Sequence, residues 1–137
     1  MSEELLSSFV DAIQRKESER GFVSLTFRER VFYLVWWLEA EVNNGGFNQF
    51  FFNSAGDYAT ETVEALRTIG AEQTAALAEQ ACDVFGPAVP SPVRAERQDQ
   101  VIALSESQNA TLAQLDKAFF AYPDNLSKLL ASFMEQS

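Results

Sequence analysis

Residues 26–56 read "TFRERVFYLVWWLEAEVNNGGFNQFFFNSAG", and the fold turns on how this stretch is parsed. Thr26 and Glu29 stand at the T-x-x-E spacing of a capping box, where a hydroxyl and a carboxylate each satisfy a free backbone N–H at a helix start. Behind them Phe27, Val31, Leu34, Val35, Leu38 and Val42 recur at helical spacing on one face. Phe32, Trp36 and Trp37 add apolar bulk on the other faces, and a helix that is apolar nearly all round belongs at the centre of a core. It is expected to stop at Asn43-Asn44-Gly45-Gly46, residues that tolerate left-handed backbone. A short helix follows over 47–53, closed by Gly56. Its Phe47, Phe50 and Phe51 fall at i, i+3, i+4 and point inward.

Working outward, Ser2 can cap a helix over about 3–20 that ends at Gly21. Residues 57–69 read as a helix stopped by Gly70, and 71–85 as another stopped by Gly86 and Pro87. Ser91-Pro92 has the form of an N-cap with proline at the first helical position, starting a helix to about 104. Ser105 and Gln108 make a second capping box, opening a helix to 121. "YPDN" is a turn, and 125–135 is a last amphipathic helix. No segment alternates as a strand would. The expected fold is all-α: one compact domain over 1–137, with about seven or eight short helices around the central aromatic-rich one. A chain of 137 residues that is 47% apolar, with twelve phenylalanines, suits one such core.

Twenty acidic residues against ten basic ones give a formal charge of −10. Direct binding to nucleic acid or an anionic membrane is not expected, because both need a basic footprint. The longest apolar run, Val31 to Leu38, is too short to span a bilayer. The acidic opening "MSEELLSS" lacks the pattern of a secretory leader. A single cysteine permits no internal disulfide, and a reducing, cytoplasmic setting fits. No histidine is present, which removes Ser-His and Cys-His nucleophile pairs and the usual zinc sites. Cys82 lies on a stripe with Ala71, Ala75, Ala78 and Phe85 and reads as a small buried hydrophobe. The expectation is a non-enzyme without metal or cofactor. Carboxylate-only chemistry stays open, though no spacing singles it out.

The acidic residues are unevenly placed. Between Val31 and Val93 there are eight acids and one base, Arg67, so this segment carries 8 − 1 = 7 of the excess negative charges. Asp57, Glu61 and Glu64 are spaced to share one helix face, and Glu72, Glu79 and Asp83 share one on the next helix. At ~1.5 Å rise per residue the two stripes are roughly 10 and 16 Å long. Rows of fixed negative charge at that spacing could fill the basic groove of a DNA-binding protein. A solvated helix face that keeps the protein soluble is the simpler alternative on these grounds alone.

The Asn-Gly-Gly-Phe stretch also has two readings. As a joint between helices, its asparagines satisfy orphan backbone groups, while Gln49 and Asn53, at i and i+4, bond each other or pin a neighbouring loop. As a ligand pocket, Asn44, Gln49 and Asn53 with the nearby rings would line it, and Glu41 would be the nearest ionisable group. The joint is the reading that physics favours.

The run Glu41-Val42-Asn43-Asn44-Gly45-Gly46-Phe47-x-Gln49-Phe50-Phe51-x-Asn53-x-x-Gly56 resembles the signature of a bacterial DNA-mimic protein family, a domain otherwise of unknown function. The resemblance continues in "EALRTIGA" (64–71) and less specifically in "LDKAFFAYPDNLSKLL" (115–130), covering the chain from about Phe32 onward. It implies an acidic, all-helical domain that offers a DNA-like negative surface to a DNA-binding partner such as a transcription regulator. The shared motif itself, "NGGFNQFFFN", holds no carboxylate and marks the fold. The partner-binding face is therefore assigned by the helical-face argument to Asp57, Glu61, Glu64, Glu72, Glu79 and Asp83. An immunity-type protein that neutralises a basic partner would need the same face. Exposure of Phe52, Trp36 and Trp37 would favour a homodimer.

Overall fold

The computed structural model describes the backbone of residues 3–136 and the side chains of 6–136. Seven α-helices follow in order: α1 (Glu3–Arg20), α2 (Phe27–Phe52), α3 (Ala59–Thr68), α4 (Glu72–Asp83), α5 (Arg94–Ile102), α6 (Glu106–Phe120) and α7 (Leu126–Glu135). Single 3-10 turns at Phe22–Ser24, Ser54–Tyr58 and Gly86–Ala88 link some of them. The described residues contain no strand, so the all-α expectation holds. The expected cap at Ser2 lies outside the described residues.

Both capping boxes form. The Thr26 side chain accepts from Glu29 N while Glu29 accepts from Thr26 N, and Ser105 with Gln108 repeats the exchange. α2 is the hub and packs against α1, α3, α5, α6 and α7. Val35, Leu38, Val42 and Phe47 are fully excluded from solvent along it. Phe27 departs from the expected inward face: at the first helical position it is 67% exposed, because α2 begins at the edge of the bundle.

The expected stop at the glycines is a kink inside α2. Gly45 and Gly46 leave helical geometry, and Gly46 has φ 76°, a left-handed value that costs a residue with a Cβ but not glycine. Two helical halves, ending and restarting there, lie end to end at an angle. The aromatic surplus is carried mostly inside: Trp36 and Trp37 are half-buried, and of the three residues only Phe52 is exposed.

Other boundaries shift. Residues 54–58 form a 3-10 turn and α3 begins at Ala59, so Asp57 precedes the helix that was expected to carry it. α4 spans Glu72–Asp83, shorter than the expected 71–85 at both ends. Ser91 is not an N-cap. α5 starts at Arg94 after Val93, while the Ser91 hydroxyl accepts from Val93 N at 3.1 Å and donates to Glu96 at 2.8 Å.

Candidate functional site

α3 and α4 form a helical hairpin across Gly70, whose φ of 87° makes the turn. α3 buries Ala59, Thr62, Val63, Ala65 and Leu66; α4 buries Thr74, Ala75, Ala78, Ala81 and Cys82. Small residues on α4 allow close approach. The start of α4 is held from a distance: one Asp124 carboxylate oxygen accepts from Thr74 N at 2.7 Å and from the Thr74 hydroxyl at 2.9 Å. The negative side chain sits where the helix leaves backbone donors unpaired.

With one side of each helix buried, Glu61, Glu64, Glu72, Glu79 and Asp83 turn to solvent. Arg67 joins the two helices, donating to Glu64 at 2.7 Å and to Glu79 at 2.7 Å. Glu61, Glu72 and Asp83 hold no ion pair among the described residues. Five carboxylates against one guanidinium leave a charge of −5 + 1 = −4 on the hairpin's outer side. Glu64, Arg67, Glu79 and Asp83 border a depression of about 210 Å³ with Cys82 beneath it. The Cys82 thiol is pushed up to about 12, first by burial and then by Asp83, Glu79 and Glu61. That thiol is unreactive, and its neighbours show the sign of the local field.

Asp57 does a different job. Its carboxylate accepts from Arg97 Nη2 at 2.7 Å. Arg97 is wholly buried and also donates to the carbonyls of Phe51, Ser91 (2.8 Å) and Asn53 (2.8 Å). The Phe51 carbonyl lies in the last turn of α2, where helix ends leave acceptors unpaired, and the Asn53 carbonyl at the C-cap also accepts from Gly56 N at 3.1 Å. Gly56 makes room for the guanidinium: a Cβ there would lie 2.7 Å from Arg97 Nε and 2.7 Å from the Phe50 carbonyl oxygen. Arg97 escaped the sequence reading. Its signal was its register, four residues before Val101 and seven before Leu104, on the apolar side of α5.

At the kink, Phe47 N has lost its helical acceptor and donates instead to Asp116 Oδ1 of α6 at 2.8 Å. Burial raises the Asp116 carboxyl above its ordinary value, and the Phe47 bond offsets part of this. Gln49 and Asn53 do not bond each other. Both donate to one oxygen of Glu41, at 3.0 and 2.9 Å, so an acid from the first half of α2 clasps two amides of the second. Asn43 donates to the Tyr122 hydroxyl at 2.8 Å, which donates to Glu39 at 2.6 Å, and Asn48 donates to Asn109 at 3.0 Å. Asn44 faces solvent. A depression of about 340 Å³ between α1, α2 and α7 touches this joint through Asn43 alone.

No helix among the described residues is long and apolar enough to cross a membrane, and no three His, Cys, Asp or Glu among them group to hold a metal ion. A family model described as DMP19-like protein matches residues 23–137, and the chain belongs to that family. No curated protein and no solved structure matches the chain.

Proposed function

We propose that this member of the DMP19-like protein family is a non-enzymatic acidic binding protein that occupies the basic DNA-binding face of another protein, a transcription regulator being the simplest case. The observation that carries the reading is the outer side of the α3–α4 hairpin, where Glu61, Glu64, Glu72, Glu79 and Asp83 stand exposed with Arg67 as their one internal cation. The helices are fixed by the core beneath and by Asp124 at the start of α4, so the carboxylates are presented from a rigid frame. A partner's Lys and Arg side chains can then exchange phosphate contacts for carboxylate contacts without reordering this surface. Asp57 is set apart from that face by its bond to Arg97.

The rival reading, a small-molecule site at the joint, would draw on Glu41, Gln49 and Asn53. The Gln49 and Asn53 amides already donate to Glu41, so the arrangement favours a structural clasp. An immunity-type role uses the same acidic face and differs only in the captured partner.

Attraction of this kind is largely screened beyond about 10 Å at 0.1 M salt. The immobilised protein should therefore capture a DNA-binding protein from bacterial lysate, release it along a rising salt gradient, and lose it to added duplex DNA. Changing Glu61, Glu64, Glu72 and Glu79 together to Lys should abolish capture from a folded protein. Capture that survives those changes, or that ignores salt and DNA, overturns the reading. A basic toxin as the salt-released species would assign the immunity role.

A further inference from the structure

Beside the acidic face a second feature opens between the start of α2 and α3. Phe22, Phe27, Val31, Leu34 and Ala65 wall a mostly apolar recess of about 240 Å³ that Arg30 also lines, with Glu61, Glu64 and Thr68 around it. The wall of the recess is braced by contacts of its own. The Arg30 guanidinium lies 5.5 Å from the Phe22 ring centre and donates to the Val23 carbonyl at 3.0 Å, and Phe22 stacks on Tyr58 with centroids 4.0 Å apart. Phe27 is 67% exposed and Val23 82% exposed, an apolar edge that the isolated chain leaves in water.

We infer that this recess is the anchor point of the partner interface: it takes one apolar side chain of a cationic helix, with Glu61 receiving the basic residue beside that side chain. The inference rests on the acidic-face reading and adds the specificity that the reading lacks. Carboxylate rows attract any basic surface, whereas a buried apolar contact in a pocket discriminates among them. Charge selects the occupant's class. Arg30 lines the recess with its guanidinium over Phe22, one terminal nitrogen on the Val23 carbonyl and Nε without a partner, Arg67 bridges Glu64 and Glu79, and Glu61 is left without an ion pair among the described residues. An apolar side chain flanked by Lys or Arg meets both parts of that lining, while one flanked by acids would be repelled at Glu61.

The test uses two synthetic cationic helical peptides that are identical except at one central position, Leu in the first and Ser in the second. Binding to the full chain is followed by fluorescence anisotropy at two salt concentrations. The Leu peptide should bind about tenfold more tightly, the size expected for one buried aliphatic side chain. That preference should vanish in Phe27→Ser, which removes an exposed wall, and in Thr68→Phe, which fills the recess from an exposed position. Both variants should still bind the Ser peptide as the unaltered chain does, with the same salt dependence.

Equal binding of the two peptides by the unaltered chain overturns the anchor and leaves the acidic-face reading standing. A Leu preference that persists in both variants places the anchor elsewhere and also overturns it. Binding of neither peptide at low salt removes the acidic-face reading and the anchor together. A dimer in sedimentation that Phe27→Ser splits would show the recess to be covered by a second copy, against the inference.

Discussion

Carboxylates meet both the kink in α2 and the outer side of the α3–α4 hairpin, yet the acids at the two places behave in opposite ways. At the kink, Glu41 receives two side-chain amides and Asp116 receives Phe47 N, while Asp57 pairs with the buried Arg97 just beyond the end of α2. On the hairpin, Glu61, Glu72 and Asp83 keep their charge toward solvent, and Glu64 and Glu79 share one surface arginine. In the first set Asp116 takes up the backbone donor that the kink leaves unpaired, Glu41 ties two side-chain amides across the joint, and Asp57 balances the buried guanidinium. The second set meets no such need, because both hairpin helices are intact beneath it. An acid is tied down where packing leaves polar groups in need of an acceptor and stays turned to solvent where it does not.

The sharpest way to break this contrast is at Arg97. Arg97→Leu should lower stability by about 3–5 kcal/mol, because it strands the Phe51 and Ser91 carbonyls and the Asp57 carboxylate in or near the core, while the Asn53 carbonyl keeps only Gly56 N. Urea denaturation would read it, and a loss under about 1 kcal/mol would mean that the guanidinium is not what holds the end of α2. Next is Gly46→Ala. Its Cβ would press on the Asp116 carboxylate from a backbone with φ 76°, and a loss of more than ~1 kcal/mol in the same assay is expected. An unchanged midpoint would show that the kink can be straightened at no cost.

The clasp comes third. Glu41→Ala should cost about 1–3 kcal/mol by leaving the Gln49 and Asn53 amides without their acceptor. Gln49→Ala should cost less, since Asn53 still bonds Glu41. If both are thermally silent, the clasp is not structural and the ligand-pocket reading regains its groups.

On the hairpin the opposite outcome is expected. Reversing Glu61, Glu64, Glu72 and Glu79 to Lys should move the thermal midpoint far less than Arg97→Leu does, because none of the four satisfies a buried group. Large destabilisation there would erase the contrast. The smallest expected effect lies at the edge of the bundle. Glu29 is partly buried, which opposes ionisation, but the Lys16 ammonium and the Thr26 N–H together hold its carboxyl below the ordinary 4.5. A depressed folded value means that the stabilisation is present above 4.5 and is lost as pH falls through the lower folded value. The stability difference between the unaltered chain and Lys16→Met should therefore be steady near neutrality and shrink in acid. A difference that grows in acid would reverse the sign and remove the pair as its cause.

Much of the architecture could be read from residues alone. The capping boxes at Thr26 and Ser105, the glycine stops at 21 and 70, and the apolar spacing of α2 are local signals with local causes, so helix order and type followed from them. Boundaries failed where the cause was distant. Ser91-Pro92 looked like a helix start because nothing nearby shows that Ser91 instead braces Val93 and Glu96 ahead of α5. Asp57 looked like the first member of an acidic stripe because a 3-10 turn and a tight helix leave similar spacing in sequence.

By itself, then, the sequence determined an all-helical chain built around one aromatic helix, interrupted at Gly45-Gly46, with its negative charge concentrated between Val31 and Val93. Helical periodicity and glycine backbone freedom act within a few residues and leave a record in the order of the letters. Which acids stay available was decided only by tertiary structure. Arg97 reaches Asp57 across forty positions, Asp116 reaches Phe47 across sixty-nine, and Asp124 reaches Thr74 across fifty. Each of those bonds exists because burial makes an unpaired polar group costly, and burial is a property of the packed molecule.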